Sequence, residues 1–306
     1  MEGSFRRTVR LCIPSCLTIG ALVSGLSAVK CAAEQKMWGS VTCILVACVL
    51  DGLDGHTARY LNACTKIGFE LDSLCDCGNF GVVPALVVYF WASALPKDEC
   101  TGGDCGTMDT LVWIACCCYS ACCALRLARF NVEGKAAEMD KSYPPTDGPQ
   151  SPRPPVPKTL LHNFLQKKLY FRGVPAPVGA AYALTPMMMH MSHLRLGLGR
   201  YSSFVLSLYF GRAGTAVTML VTGLLMVCSL PTFSSKMLKM EKDDTHLRSR
   251  NPLSFLAKVC GACLFIFCLV RSPFDVILTM NLLHLGSIPL SVAMFAKCSQ
   301  ERRKGD

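Results

Sequence analysis

Charge is what this chain has least of. Asp, Glu, Lys and Arg make up 17% of its 306 residues, against about a quarter in ordinary soluble domains. With 51% of residues hydrophobic, that scarcity excludes a soluble, disordered or fibrous protein. No internal repeat of fixed period is present. Acids are scarcer than bases, 21 against 31, for a net charge of +10. The bases sit between apolar runs rather than on one compact domain, which fits anionic lipid headgroups better than nucleic acid. Cysteine is plentiful at 20 residues, but it clusters inside apolar runs such as Cys116–Cys118 and Cys122–Cys123. There it acts as a small hydrophobe, not as a disulfide scaffold.

A membrane span needs roughly 20 apolar residues. Eight runs qualify: Leu11–Val29, Met37–Leu53, Phe69–Leu95, Thr110–Leu127, Val174–Met191, Ser203–Leu230, Leu253–Val270 and Val276–Ala296. The expected fold is therefore an all-α polytopic transmembrane bundle of about eight spans. The first run reads as a retained span, since it is long, carries Pro14 and lacks a small-residue cleavage site. Eight spans place both termini on one side, and the positive-inside rule puts that side in the cytosol. In that arrangement 23 of the 31 basic residues are cytosolic, whereas the opposite loops hold only Lys30, Lys36, Lys97, Arg195, Arg200 and Arg271. Arg212, inside the sixth run, is the residue that fits least well.

One linker stands out. The stretch Tyr143–Pro157 contains seven prolines and cannot continue a helix; it reads as a semi-extended cytosolic spacer. The expected division is 1–132 with four spans and the acidic motif, 133–172 as linker, and 173–306 with about four spans and a basic tail.

The scarce acids are not scattered. The second run continues into Asp51-Gly-Leu-Asp54-Gly55-His-Thr-Ala58-Arg59, and the third begins near Gly68-Phe-Glu-Leu-Asp72-Ser-Leu-Cys-Asp76. Asp51, Asp54, Gly55 and Ala58 share one helical stripe, and Gly68, Asp72 and Asp76 share a second. The eight residues between Arg59 and Gly68 let the chain turn back, so the stripes can face each other at the membrane boundary. Four aspartates gathered there are costly as free anions, and a cation is the natural answer. Oxygen-only ligands suit magnesium, manganese or calcium, and two such ions are the usual device for a phosphoryl displacement. Gly55 and Ala58 leave room for a ligand, and Arg59 can neutralise a phosphate.

The pattern D-x-x-D-G-x-x-A-R-x(8)-G-x-x-x-D-x-x-x-D, from Asp51 to Asp76, resembles the signature of the CDP-alcohol phosphotransferase family. The resemblance implies that Asp51, Asp54, Asp72 and Asp76 hold two divalent ions, magnesium or manganese, and that Asp76 is the general base. It implies CDP contacts for Gly55, Ala58, Arg59, Gly68 and Thr18. In the first span Pro14, Thr18 and Gly25 match the relatives' pattern, whereas Ser15 and Ala21 stand where relatives often have Asn.

The motif leaves the acceptor alcohol open. Asp72-Ser73 followed by Phe80–Ala85, then Arg126-Leu-Ala-Arg129-Phe-Asn131, Phe171–Pro177, and Leu225–Val227 ahead of Phe233 and Lys236 are similar to the membrane-integral phosphatidylserine synthases. That likeness implies CDP-diacylglycerol as donor, L-serine as acceptor and a homodimer. Arg126 and Arg129 lie one turn apart and can bind carboxylate or phosphate, with Asn131 available to the amino group. The competing reading is a pair of snorkelling arginines at a helix end. Glycerol 3-phosphate or inositol as acceptor is the enzymatic alternative. A cation transporter or channel is the other, and it would spread its acids through the membrane depth.

Weaker signals read as structure. Cys260 and Cys263 have redox-motif spacing within an apolar span, and His190 and His193 close a span behind three methionines. Cys100 and Cys105 share a loop and could pair, and His56 is expected to face away from the acids. A multi-pass membrane location with a cytosolic site follows, in the endoplasmic reticulum if the source is eukaryotic.

Overall fold

The computed structural model describes residues 2–95, 105–139, 170–195, 211–233 and 271–303. Helix dominates them: α1 (Glu2–Ala33), α2 (Met37–Tyr60), α3 (Lys66–Asp76), a π-helical turn (Cys77–Val82), α4 (Val83–Ser93), α5 (Cys105–Met139), α6 (Ala176–Ala183), α7 (Thr185–Arg195), α8 (Arg212–Val227) and α9 (Pro273–Arg303). Among the described residues, five segments are long and apolar enough to cross a membrane: Arg10–Ala33, Met37–Tyr60, Lys66–Ser93, Gly106–Val132 and Phe274–Met294. Exposed faces carrying Ile19, Val23 and Leu26 on α1, or Leu111, Ile114 and Leu125 on α5, suit a lipid surround.

These five segments coincide with the first four and the last of the expected runs. The fifth run is two helices: α6 ends at Ala183 and α7 starts at Thr185, because Pro186 has no N–H to continue the ladder. Of the sixth, the described part is α8, 16 residues long, and residues 203–210 lie outside the described residues. The seventh, Leu253–Val270, lies outside the described residues, as do Tyr143–Pro157, Cys100, Cys260 and Cys263.

Two tight turns bracket α2, and the second shapes the acidic end. After α1 the Lys36 N–H bonds to Cys31 O and the Gln35 N–H to Ala32 O, with Gln35 at φ 58°. After α2 the Ala63 N–H bonds to Ala58 O and the Asn62 N–H to Arg59 O, with Asn62 at φ 50°. Both are Schellman closures with a left-handed residue at the usual glycine position. The second is followed at once by Thr65, whose side chain caps α3 by accepting from the Gly68 N–H at 2.9 Å. A Cβ on Gly68 would come within 3.0 Å of that capping oxygen, so glycine here serves the cap.

Small residues let α1 and α2 approach closely. Ala21, Ala28 and Ala32 are buried, and Ser40 and Ser24 donate across the pair to Ala28 O and Cys43 O. The chain runs from α3 through the π-turn into α4 without a break. A π-turn displaces the regular i−4 acceptors, and α5 supplies donors to two carbonyls there: Tyr119 Oη to Phe80 O at 2.6 Å and Ser120 Oγ to Gly81 O at 3.2 Å. At the other end of α5 and α8, Arg212 is buried, with Nε donating to Asp109 Oδ1 at 2.7 Å and Nη2 to Leu95 O at 2.8 Å. A lone arginine read from sequence as an intruder in a span is thus a pin joining α8, α5 and the end of α4.

The contacts divide the chain into two compact units, Met1–Asn131 with Ala176–Val227, and Val132–Pro175 with Cys228–Asp306. All of the helices just described up to Asn131, and α6 to α8, belong chiefly to the first. The second contains α9 and an addition to the expected all-α fold, a short antiparallel ribbon. Strands β1 (Tyr170–Arg172) and β2 (Pro231–Phe233) pair Phe171 with Thr232. Gly173, at φ 74°, closes the ribbon through its N–H to Leu230 O, and Thr232 Oγ1 donates to Gly173 O.

Candidate active site

The turn between α2 and α3 brings the two acidic stripes together. One carboxylate oxygen from each of Asp51, Asp72 and Asp76 lies within 4.8 Å of the others. At an effective dielectric near 20, two such charges repel by roughly 3–4 kcal/mol. Asp51 Oδ1 is also buried without a hydrogen-bond partner, and leaving such a group unpaired costs about 1–3 kcal/mol. Hard oxygen ligands, partly buried and mutually repelling, fit a divalent cation. They are gathered at one end of α2 and α3 and not spread along the helices, unlike the pattern expected of a conduction path.

Asp54 is held differently. It is buried, and its Oδ2 accepts from Thr18 Oγ1 at 2.5 Å, with Pro14 O 3.1 Å from the same hydroxyl. Thr18, expected near CDP, thus ties α1 to the motif on α2. Two positions on α2 beside the acids are open: Gly55 is half-buried, and a Cβ there would meet the Arg59 guanidinium at 3.7 Å, and Ala58 is half-buried. Arg59 is exposed, with Nη2 3.4 Å from His56 Nδ1, and His56 lies 3.1 Å from Gly52 O on the exposed side of α2. Ala21 is fully buried, so a methyl stands where the resemblance leads one to expect an amide.

The end of α5 meets the same level. Asn131 Nδ2 donates to Ser73 Oγ at 2.7 Å, next to Asp72. Arg126 is half-buried, lies within electrostatic reach of Asp76, and its Nε is buried without a partner. Arg129 is exposed, and its Nη1 donates to Val227 O at 2.9 Å, at the last residue of α8. The two arginines, alike by sequence, therefore face different surroundings: one looks toward the acids, the other caps a helix end. His190 packs edge-on to Trp91 with ring centroids 5.7 Å apart, a packing role.

Sequence reasoning missed Asn79, Tyr119 and Ser120. Asn79 is buried at 1% exposure, and neither Nδ2 nor Oδ1 has a hydrogen-bond partner. An asparagine within the apolar stretch after Asp76 was the available signal. The roles of Tyr119 and Ser120 depend on the π-turn, which has no sequence mark.

A family model described as CDP-alcohol phosphatidyltransferase matches residues 11–241, which include every residue of this site. A CDP-diacylglycerol–serine O-phosphatidyltransferase of Mycobacterium bovis is 35% identical over 222 residues, covering 72% of this chain and 63% of that protein. One from Mycobacterium leprae is 30% identical over 288 residues, covering 94% of this chain and 77% of its own. One from Bacillus subtilis is 36% identical over 124 residues, 40% of this chain and 62% of that protein. The match thus spans less than two thirds of the length of the Mycobacterium bovis relative.

Proposed function

The chain belongs to the CDP-alcohol phosphatidyltransferase family, and from that premise we propose that it transfers the phosphatidyl group of CDP-diacylglycerol to L-serine, giving phosphatidylserine and CMP. The observation that carries the reading is the meeting of Asp51, Asp72 and Asp76 with Arg126 and the Asn131–Ser73 pair at one end of the helices. The names of the mycobacterial relatives support serine as the acceptor.

Asp51, Asp54, Asp72 and Asp76 would hold magnesium or manganese, two ions in this reading. When bound, the ions disperse the charge that develops on the diphosphate and on departing CMP. Gly55, Ala58 and Gly68 admit the cytidine, Thr18 keeps Asp54 in place beside it, and Arg59 faces a phosphate at the mouth. Arg126 and Arg129, one turn apart on α5, orient the serine carboxylate and the diphosphate, and Asn131 further along the helix completes the serine-binding side. Asp76 takes the proton from the serine hydroxyl. The serine oxygen bonds to the lipid-side phosphorus as the bond from that phosphorus to the CMP oxygen breaks.

In this reading 1–132 is the catalytic half, to whose compact unit Ala176–Val227 also belongs, 133–172 is a cytosolic linker, and 173–306 is a second half. The chain crosses the membrane eight times with both termini in the cytosol, as the distribution of basic residues supports. The site then faces the cytosol, where serine is soluble and the donor's acyl chains stay in lipid. A homodimer, in the endoplasmic reticulum of a eukaryote, completes the proposal. The test is CMP release by the purified chain in nanodiscs containing CDP-diacylglycerol. Release should require serine and a divalent ion; release with glycerol 3-phosphate or inositol instead, or cation flux without CMP, would sink it.

A further inference from the structure

Asn79 is a polar group for which the protein itself offers no use. Its amide is almost fully buried, and both of its polar atoms are without partners. It stands in the π-turn three residues beyond Asp76, about 4–5 Å further along the helix axis. Its neighbour across the interface is Gly25 of α1, where a Cβ would overlap the amide oxygen. The absence of a side chain at Gly25 is thus what leaves Asn79 its place. The turn that presents it is held from α5 by Tyr119 and Ser120. An apolar side chain of the same size would fill this position better if packing were its only duty.

Position along the axis narrows the ligand. Gly78 faces Leu22 and Asn79 faces Gly25, so α1 and α3 run in the same direction here. Gly68 and the turn after α2 lie on one side of Asp76, and Asn79 lies on the other. The nucleotide positions of the proposed reading, Gly55, Ala58 and Gly68, are on the first side. The acceptor must reach Asp76, which takes its proton, and Asn79 stands on the far side of Asp76 from the nucleotide positions. Asn131 is held by its amide N–H on Ser73, whereas the Asn79 amide has no hydrogen-bond partner at either polar atom.

Resting on the proposed transfer to serine, we propose that Asn79 is the residue that recognises the amino group of the acceptor. Its carbonyl oxygen accepts a hydrogen bond from the serine ammonium, while Arg126 faces the carboxylate, and Gly25 is required because any side chain there displaces the amide. Asn79 contributes to which alcohol is used, not to binding of CDP-diacylglycerol.

The test compares L-serine with 3-hydroxypropionate, which has the hydroxyl and carboxylate but no amine, using CMP release by the full chain in nanodiscs. Wild type should prefer serine, and in Asn79→Leu the ratio of the two kcat/KM values should fall at least tenfold. The KM for CDP-diacylglycerol should stay within twofold. Gly25→Ala, which leaves Asn79 in the sequence and only displaces its amide, carries the same expectation if Asn79→Leu does not accumulate. An unchanged ratio in the folded variants overturns the assignment alone, as does an equal loss for both acceptors with a lowered melting temperature. A wild-type chain that releases no CMP with serine overturns the functional reading, and this assignment with it.

Discussion

Thr18 Oγ1 donates to Asp54 Oδ2 at 2.5 Å, a bond between α1 and α2 that sets one of the four motif aspartates apart from the other three. Asp54 is buried and has a protein donor, while Asp51, Asp72 and Asp76 converge on one another. Thr18→Val keeps the shape of the side chain and removes the donor, leaving a buried carboxylate short of a partner. A loss of about 1–3 kcal/mol follows, measured as a lower thermal midpoint in detergent. In a double-mutant cycle the effects of Thr18→Val and Asp54→Asn should be non-additive by at least about 0.5 kcal/mol; simple additivity would show that the bond does not contribute.

Asp72→Asn and Asp76→Asn each remove a charged oxygen ligand, and Asp76→Asn also removes the proposed base. CMP release should fall by at least about a thousandfold in either, with the folded fraction retained because repulsion within the cluster is relieved. Normal turnover by either purified variant would refute the assigned site.

Chelation should have a linked effect on stability. A divalent ion that binds the folded cluster and not the unfolded chain stabilises by about 2.7 kcal/mol at a hundredfold excess over its Kd. Removing divalent ions should therefore lower the melting temperature and abolish CMP release, and magnesium or manganese should restore both. In Asp51→Asn/Asp76→Asn the melting temperature should no longer respond. A response equal to wild type would place the ion elsewhere.

The two arginines on α5 should separate kinetically. Arg129 donates to Val227 O, whereas the buried Nε of Arg126 has no partner and the residue is within reach of Asp76. Arg126→Ala is expected to raise the KM for serine at least tenfold. Arg129→Ala should raise it less and lower the melting temperature by loosening the end of α8. The reverse order of KM effects would reassign the carboxylate contact to Arg129.

Far from the acids, Asp109→Ala leaves Arg212 buried with Leu95 O as a remaining acceptor. Breaking a fully buried ion pair costs about 3–5 kcal/mol. The Asp109 side chain is 34% exposed, so about 1–3 kcal/mol is expected after screening. Thermal unfolding reads it out, and the KM values should be unchanged in the folded enzyme. A shift in serine KM would show that the pin reaches the site.

The acidic motif was legible because its information is local. Spacings of three and four place Asp51 with Asp54, and Asp72 with Asp76, on single helical faces whatever packs against them. The turn between the stripes was foreseeable in existence but not in form, since Asn62 and Thr65 build it through a left-handed closure and an N-cap. Span counting held where a run was long and uninterrupted, as for α1, α2 and α5. It met its limit at Val174–Met191, where Pro186 divides the run into α6 and α7. Arg212 looked out of place in a span because its partners, Asp109 and Leu95, are distant in sequence.

By itself the sequence determined membrane helices, the identity of the acids and the helical stripes they share, and membership of a family whose motif occupies Asp51 to Asp76. Those properties follow from hydropathy and helical period, which act over a few turns. Only the tertiary structure decided that Asp54 belongs to Thr18, that Arg126 and not Arg129 looks toward the acids, and that Asn79 stands unpaired against Gly25. Each of these depends on which helix lies opposite. In a bundle, that is decided by close approach of small residues and by pairing of polar atoms between helices far apart in the chain.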